Sequence, residues 1–219
     1  MHGGMFMPRH DPEERTKMAI INTAARLFGE KGWSNVNIED VVREVGVTRG
    51  AFYHYFGSRE DLIYAVIVQP IIDNDPFALA AKEKGLNALG KLRFALKFSL
   101  QAQLSAVLSS NMLQTMYDPA VMKSNINFSI DVMGAYIEKL LVEGMEDGSM
   151  PVKYPKHTAQ AAGLIFNEWL NPTLFRMTDQ EFRERILFLE EFGERLGMPV
   201  IDDELKEMLW QLFEYYKQT

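Results

Sequence analysis

The densest run of chemically capable side chains is Thr48-Arg49-Gly50-Ala51-Phe52-Tyr53-His54, with Arg59 five residues further on. If the run is helical, Thr48 is its N-cap and leaves first-turn N–H groups facing outward, towards a phosphate or a base edge. Arg49 follows in the first turn, where a guanidinium can take guanine O6 and N7 in a bidentate fork. Gly50 and Ala51 are small enough to let the backbone lie close to a groove, and Ala51 can contact a thymine methyl. Phe52 and Phe56, four apart, share a face as the anchor, which turns Tyr53 and His54 outward to bond phosphates or bases. Arg59 is a further phosphate ligand. A plainer reading stands beside this one: a helical hairpin with a glycine turn can serve packing alone, and FYHYF can be core.

Bond-making chemistry has little to stand on. With no cysteine, disulfides, thiolate nucleophiles and cysteine-ligated zinc are excluded. The four histidines, His2, His10, His54 and His157, are too dispersed for an evident metal site. GxSxG, Walker A, GxGxxG and HExxH patterns are all missing, and no cofactor is implied. An enzyme without a recognisable motif and an all-α interaction module remain the rival readings.

The elements around the run are helical. Apolar residues at Ile20, Ile21, Ala24, Ala25, Leu27 and Phe28 form one face of a first helix from Glu13, and Gly32 can supply its left-handed stop. Asn37 with Asp40 reads as a capping box opening a second helix, whose inward face is Ile38, Val41, Val42 and Val45. Gly46 breaks that helix and Thr48 caps the third, giving the helix-turn-helix pattern. Ser58 with Asp61 repeats the cap, and Leu62, Ala65 and Val66 carry a fourth helix towards Pro70. The stretch beyond Pro70 is irregular in pattern and reads as a boundary or a short helix. Helical periodicity then returns from Leu86 to Leu108, from Met122 to Gly148, and from His157 to about Met177, with Asn171 and Pro172 interrupting the last. Thr178 with Glu181 is another capping box, and Leu205, Met208, Leu209, Leu212, Phe213 and Tyr216 stripe a final helix. The fold class is therefore all-α: a flexible arm at 1–12, a three-helix helix-turn-helix domain at 13–68, and a larger helical domain at 69–219.

Between Ile21 and Leu62, the residues Ala24, Ala25, Leu27, Phe28, Glu30 and Gly32, followed by IEDVVREVGVTRGAFYHYFGSREDL, resemble the DNA-binding domain of the tetracycline-repressor (TetR) family of bacterial regulators. The resemblance implies a homodimer that binds a palindromic double-stranded operator and is released by a small molecule. The family's contact positions fall on Thr48, Arg49, Gly50, Ala51, Tyr53 and His54. The cap of the preceding helix, often threonine, is Asn37 here, and the basic residue after the third helix, often lysine, is Arg59. Both departures keep the chemistry, though Arg59 exchanges a point charge for a planar fork.

For the larger domain the resemblance holds only in outline. Phe94, Phe98, Met112, Met116, Tyr117, Phe128, Met133 and Phe166 suit an adaptable pocket for an apolar or aromatic effector, or simply a core. Gln101, Gln103, Asn125, Asn127 and Asn167 are polar candidates on the same helices, and His157 reads as a surface residue. The family pairs two late helices of each subunit. That scheme places Gly163, Phe166, Trp169, Leu170, Phe182, Ile186, Leu189 and Phe192 at a dimer interface, with the final helix either extending it or closing the monomer core.

The charge is −7, from 23 Lys and Arg against 30 Asp and Glu, and at first sight this argues against a polyanionic partner. Locally the objection weakens. Residues 1–64 hold eight basic and nine acidic side chains, and the remaining −6 lies beyond them. Glu39, Asp40, Glu60 and Asp61 sit in first helical turns, where a carboxylate favours the helix dipole. No signal-peptide h-region opens the sequence, and the longest apolar run, from Leu62 to Val68, is too short to span a bilayer. A cytoplasmic protein with no membrane partner is expected.

Overall fold

In the computed structural model, which describes residues 12–108 and 119–218 with the side chains of 105–108 and 218 excepted, every regular element among the described residues is helical. The chain divides into two units, Met1–Val66 and Ile67–Thr219.

The first unit begins with α1 (Pro12–Lys31), which buries Ile20, Ile21, Ala24, Leu27 and Phe28. Gly32, at φ 83°, turns the chain into a short 3₁₀ turn, where Trp33 stacks on Phe28 at 4.3 Å. α2 (Ile38–Val45) opens with the expected capping box. Asn37 Oδ1 accepts from Asp40 N at 2.9 Å, and Asp40 Oδ2 accepts from Asn37 N at 3.2 Å. Gly46 closes α2 in the left-handed region at φ 79°, as a residue without a Cβ can do at little cost. α3 (Arg49–Tyr55) follows its Thr48 cap, with Phe52 wholly buried and Phe56 nearly so.

The division falls within α4 (Arg59–Asn74), whose N-cap Ser58 accepts from Asp61 N at 3.1 Å. Here the structure differs from the expected stop at Pro70. The proline sits inside the helix at an exposed position, and Asn74 Nδ2 donates to the Pro70 carbonyl at 2.8 Å. The stretch read as a boundary or a short helix holds the short helix α5 (Pro76–Lys82), started by Asp75, which accepts from Phe77 N and Ala78 N.

The second unit continues with α6 (Ala88–Leu108), α7 (Pro119–Asn127), α8 (Gly134–Asp147), α9 (Pro155–Leu164), α10 (Asp179–Leu196) and α11 (Asp203–Gln218). α8 lies between α9 and α6, and α6 also packs on α5 and α11. Two departures from α geometry interrupt the helices. A π-helical turn, Phe128–Met133, joins α7 to α8, and another, Ile165–Trp169, ends α9. Thr178 and Glu181 make the capping box that begins α10. At the base of α11, Arg93 donates to the carbonyls of Pro199 and Val200 at 2.7 and 3.1 Å, and Lys97 reaches Asp202 at 3.0 Å. One core cluster combines Leu170, Phe182, Ile186, Leu189, Ile201, Leu209 and Phe213, with Phe182 stacked on Phe213 at 4.1 Å.

Candidate nucleic-acid interface and ligand cavity

Within the first unit, Thr48 Oγ1 accepts from Ala51 N at 3.1 Å, which fixes the start of α3. Burial of Phe52 sets the rotation of this short helix. Arg49, Gly50, Tyr53 and His54 consequently stand exposed, and Ala51 is half-buried. Arg49 reaches Tyr53 Oη at 3.4 Å and ion-pairs with Glu39 of α2 at 2.8 Å. The Tyr53 hydroxyl, then Glu39, hold the guanidinium in its charged form. A Cβ at Gly50 would meet only Thr48 Oγ1, at 3.8 Å, so no contact inside the unit requires glycine there.

Two expected contact residues have internal duties as well. Asn37 uses its side-chain oxygen in the cap of α2. Arg59 is half-buried: Nε donates to Val36 O at 3.0 Å, Nη2 donates to Trp33 O, and the guanidinium lies 5.9 Å from the Phe28 ring. Arg59 therefore braces the α1–α2 connection against α4, which a lone basic residue in a first turn did not signal. Replacing it by methionine keeps the stem but strands two carbonyls, at an expected cost of roughly 1–2 kcal/mol. Chemical denaturation of the two proteins measures this, and an unchanged midpoint would remove the bracing role. Other head arginines are also engaged: Arg26 with Glu30 and Glu44, and Arg43 with Asp40.

In the second unit a cavity of about 460 Å³ opens among α4, α6, the two π-helical turns and α11. That lies within the usual range of roughly 300–1,000 Å³ for small-molecule sites. Phe98, Phe128, Met133 and Phe166 line it as expected, whereas Phe94 does not, and Met112, Met116 and Tyr117 lie outside the described residues. Of the polar candidates, Gln103, Asn125 and Asn167 border the cavity, while Gln101 and Asn127 are exposed. Sequence reasoning missed Ser129 and Glu168. The signal for Glu168 was present: it is the one charge in the apolar run from Ala159 to Leu170. Burial pushes its carboxyl up, against the Ser129 hydrogen bond, which lowers it.

Most residues expected at a dimer interface are used inside the chain. Leu170, Phe182, Ile186 and Leu189 belong to the chain's own core, packed with α11 residues. Gly163 is buried against the Ser129 carbonyl, and Phe166 lines the cavity. Trp169 and Phe192 are half-buried and flank Phe188, at 5.7 and 5.5 Å between ring centroids. The outward face of α10 carries Leu187, 58% exposed, and Phe188, 52% exposed.

Residues 20–66 match the family model of bacterial regulatory proteins, tetR family. That match lies within the N-terminal unit and covers about a fifth of the chain. Among tetR-like relatives, the chain is 31% identical over 96 residues to the HTH-type transcriptional regulator BetI of Agrobacterium fabrum, covering 44% of this chain and 47% of that one. It is 32% identical over 90 residues to TtgR of Pseudomonas putida, covering 40% and 43%. These matches span less than half the length of either relative. RolR solved with its ligand resorcinol superposes with a TM-score of 0.60 at 17% identity, covering 90% of this chain and 94% of that one. A TetR-family regulator from Pectobacterium atrosepticum gives 0.53 at 18%, covering 84% and 95%. At such identities the likeness is one of fold.

Proposed function

We propose that this protein is a ligand-responsive transcriptional regulator, a cytoplasmic repressor that binds a palindromic operator as a homodimer and is released by a small, largely apolar molecule. The observation that carries the reading is the outward face of α3, where Arg49, Tyr53 and His54 stand exposed beside a glycine that no internal contact requires. Such a face fits a recognition helix entering a major groove. The named relatives are transcriptional regulators, which favours this over the interaction module and the enzyme.

Titrating the protein against duplex DNA from upstream of its own gene tests the proposal. Retention at nanomolar protein, lost on an unrelated duplex of equal length, is expected. Equal binding to both duplexes would sink it.

The dimer draws on the exposed Leu187 and Phe188 of α10, with Trp169 and Phe192 beside them. A two-fold pair presents two reading heads, as a palindrome requires. Placing glutamate at both Leu187 and Phe188 is expected to yield monomers by sedimentation at micromolar concentration, with the helical signal intact. A dimer that survives both changes would move the interface elsewhere.

A further inference from the structure

Two helices leave α geometry at the same place. The π-helical turn Phe128–Met133 packs against α9, just ahead of the π-helical turn Ile165–Trp169, so closely that a Cβ on Gly163 of α9 would lie 2.4 Å from the Ser129 carbonyl oxygen. π-Helical turns are rare and concentrate at functional sites. Three polar side chains converge at this junction. Ser129 Oγ donates to Glu168 Oε1 at 3.1 Å and accepts from Asn167 Nδ2 at 3.0 Å. All three residues border the cavity, and Ser129 is wholly buried.

The remaining walls are mostly apolar, and among the described lining residues there is no Lys, Arg or His and no second carboxylate. Glu168 has no ion-pair partner among the described residues, so its hydrogen bond comes from a neutral hydroxyl. An ionised carboxylate in such surroundings is costly unless a cation completes it. An anionic ligand would add a second negative charge with nothing to offset either. A cationic head instead supplies the missing partner, and aromatic rings on the walls offer it their negative faces.

We propose that Glu168 receives the charged nitrogen of a lipophilic amine, an organic ammonium whose apolar, ring-bearing body lies among Phe98, Phe128, Phe166 and Phe213. Ser129 and Asn167 position the carboxylate. The inference rests on the ligand-responsive reading and names the ligand class of that cavity.

Three probes of matched shape test it on the full chain by calorimetry at neutral pH: 4-phenylbutylamine, 4-phenylbutan-1-ol and 4-phenylbutyrate. The amine is expected to bind at least about tenfold tighter than the alcohol, and the carboxylate weakest. Glu168→Gln should erase the amine's advantage while leaving the alcohol's affinity within about threefold. An alcohol that equals the amine on the unmodified protein overturns the proposal without any variant having to fold. So does an amine undetectable at millimolar concentration, or one that binds Glu168→Gln as well as the parent. Duplex retention on the same preparations keeps the two readings apart. DNA binding without an amine preference sinks only the ligand class, and an amine preference without DNA binding sinks only the regulator.

Discussion

Replacing Arg49 and Tyr53 together by alanine is expected to abolish retention of the operator duplex while leaving the fold intact. A bidentate contact between an arginine and a base is worth about 1–3 kcal/mol of discrimination. A dimer makes that contact twice, so Arg49 alone accounts for roughly 2–6 kcal/mol, on the order of 30-fold to 10⁴-fold in affinity. Tyr53 lies within 3.4 Å of the guanidinium through its hydroxyl, so the pair acts as a unit and the two losses will not simply add. Stability should stay within about 0.5 kcal/mol, because both side chains are exposed and the anchor Phe52 is untouched. Anisotropy against duplexes that differ at single base pairs gives the finer result for Arg49→Ala. A loss confined to one position of each half-site marks a base contact, and an equal loss on all sequences marks a phosphate contact. Retention of the operator by the double variant within twofold would remove α3 from the interface.

Gly163→Val is expected to lower stability by roughly 1–3 kcal/mol, towards the upper end of the usual overpacking cost. The added Cβ meets backbone, at 2.4 Å from Ser129 O and 3.2 Å from Ser129 C, so no flexible side chain can move aside. α9 must move away from the Phe128–Met133 turn, and the Ser129–Asn167–Glu168 junction opens with it. Thermal melting should fall by about 2–4 °C per kcal/mol for a chain of this size, and binding of small apolar probes should weaken in parallel. A variant that melts with the parent would mean that α9 and the Phe128–Met133 turn do not approach this closely. Gly50 is the opposite case, a glycine with room around it.

Local signals were the legible ones. The caps at Asn37, Thr48, Ser58 and Thr178 each need only a side chain and an N–H two or three residues on, and all four bonds are made. The inward rotation of α3 followed from Phe52 and Phe56 alone. Features that depend on distant partners were not legible. The stripe of Phe182, Ile186 and Leu189 is what either a monomer core or a subunit interface would show, and only the position of α11 decides for the core. Arg59 finds its carbonyls more than 20 residues away in sequence, at Trp33 and Val36. The π-helical turns leave no periodic trace, since each adds a residue to one turn and shifts the apolar spacing after it. Glu168 could be seen as an isolated charge, but the lack of a Lys, Arg or His among the described residues lining its cavity became visible only in the packed fold.

The Arg49–Glu39 ion pair has a consequence for how binding responds to salt. Each phosphate neutralised on a duplex releases about 0.9 of a condensed counterion, which normally counts the basic contacts directly. When Arg49 turns to DNA, however, it abandons a carboxylate that is 51% exposed and free to gather cations of its own. Arg26 stands in the same position towards Glu30 and Glu44, which are 51% and 52% exposed. On the proposed DNA-binding reading, cations released by the duplex would be partly taken up by the protein, and the slope of log K against log salt would come out shallower than the number of arginines in contact. Changing Glu39 to glutamine removes one such acceptor, so the variant should bind all DNA more tightly in dilute salt and lose that advantage as salt rises.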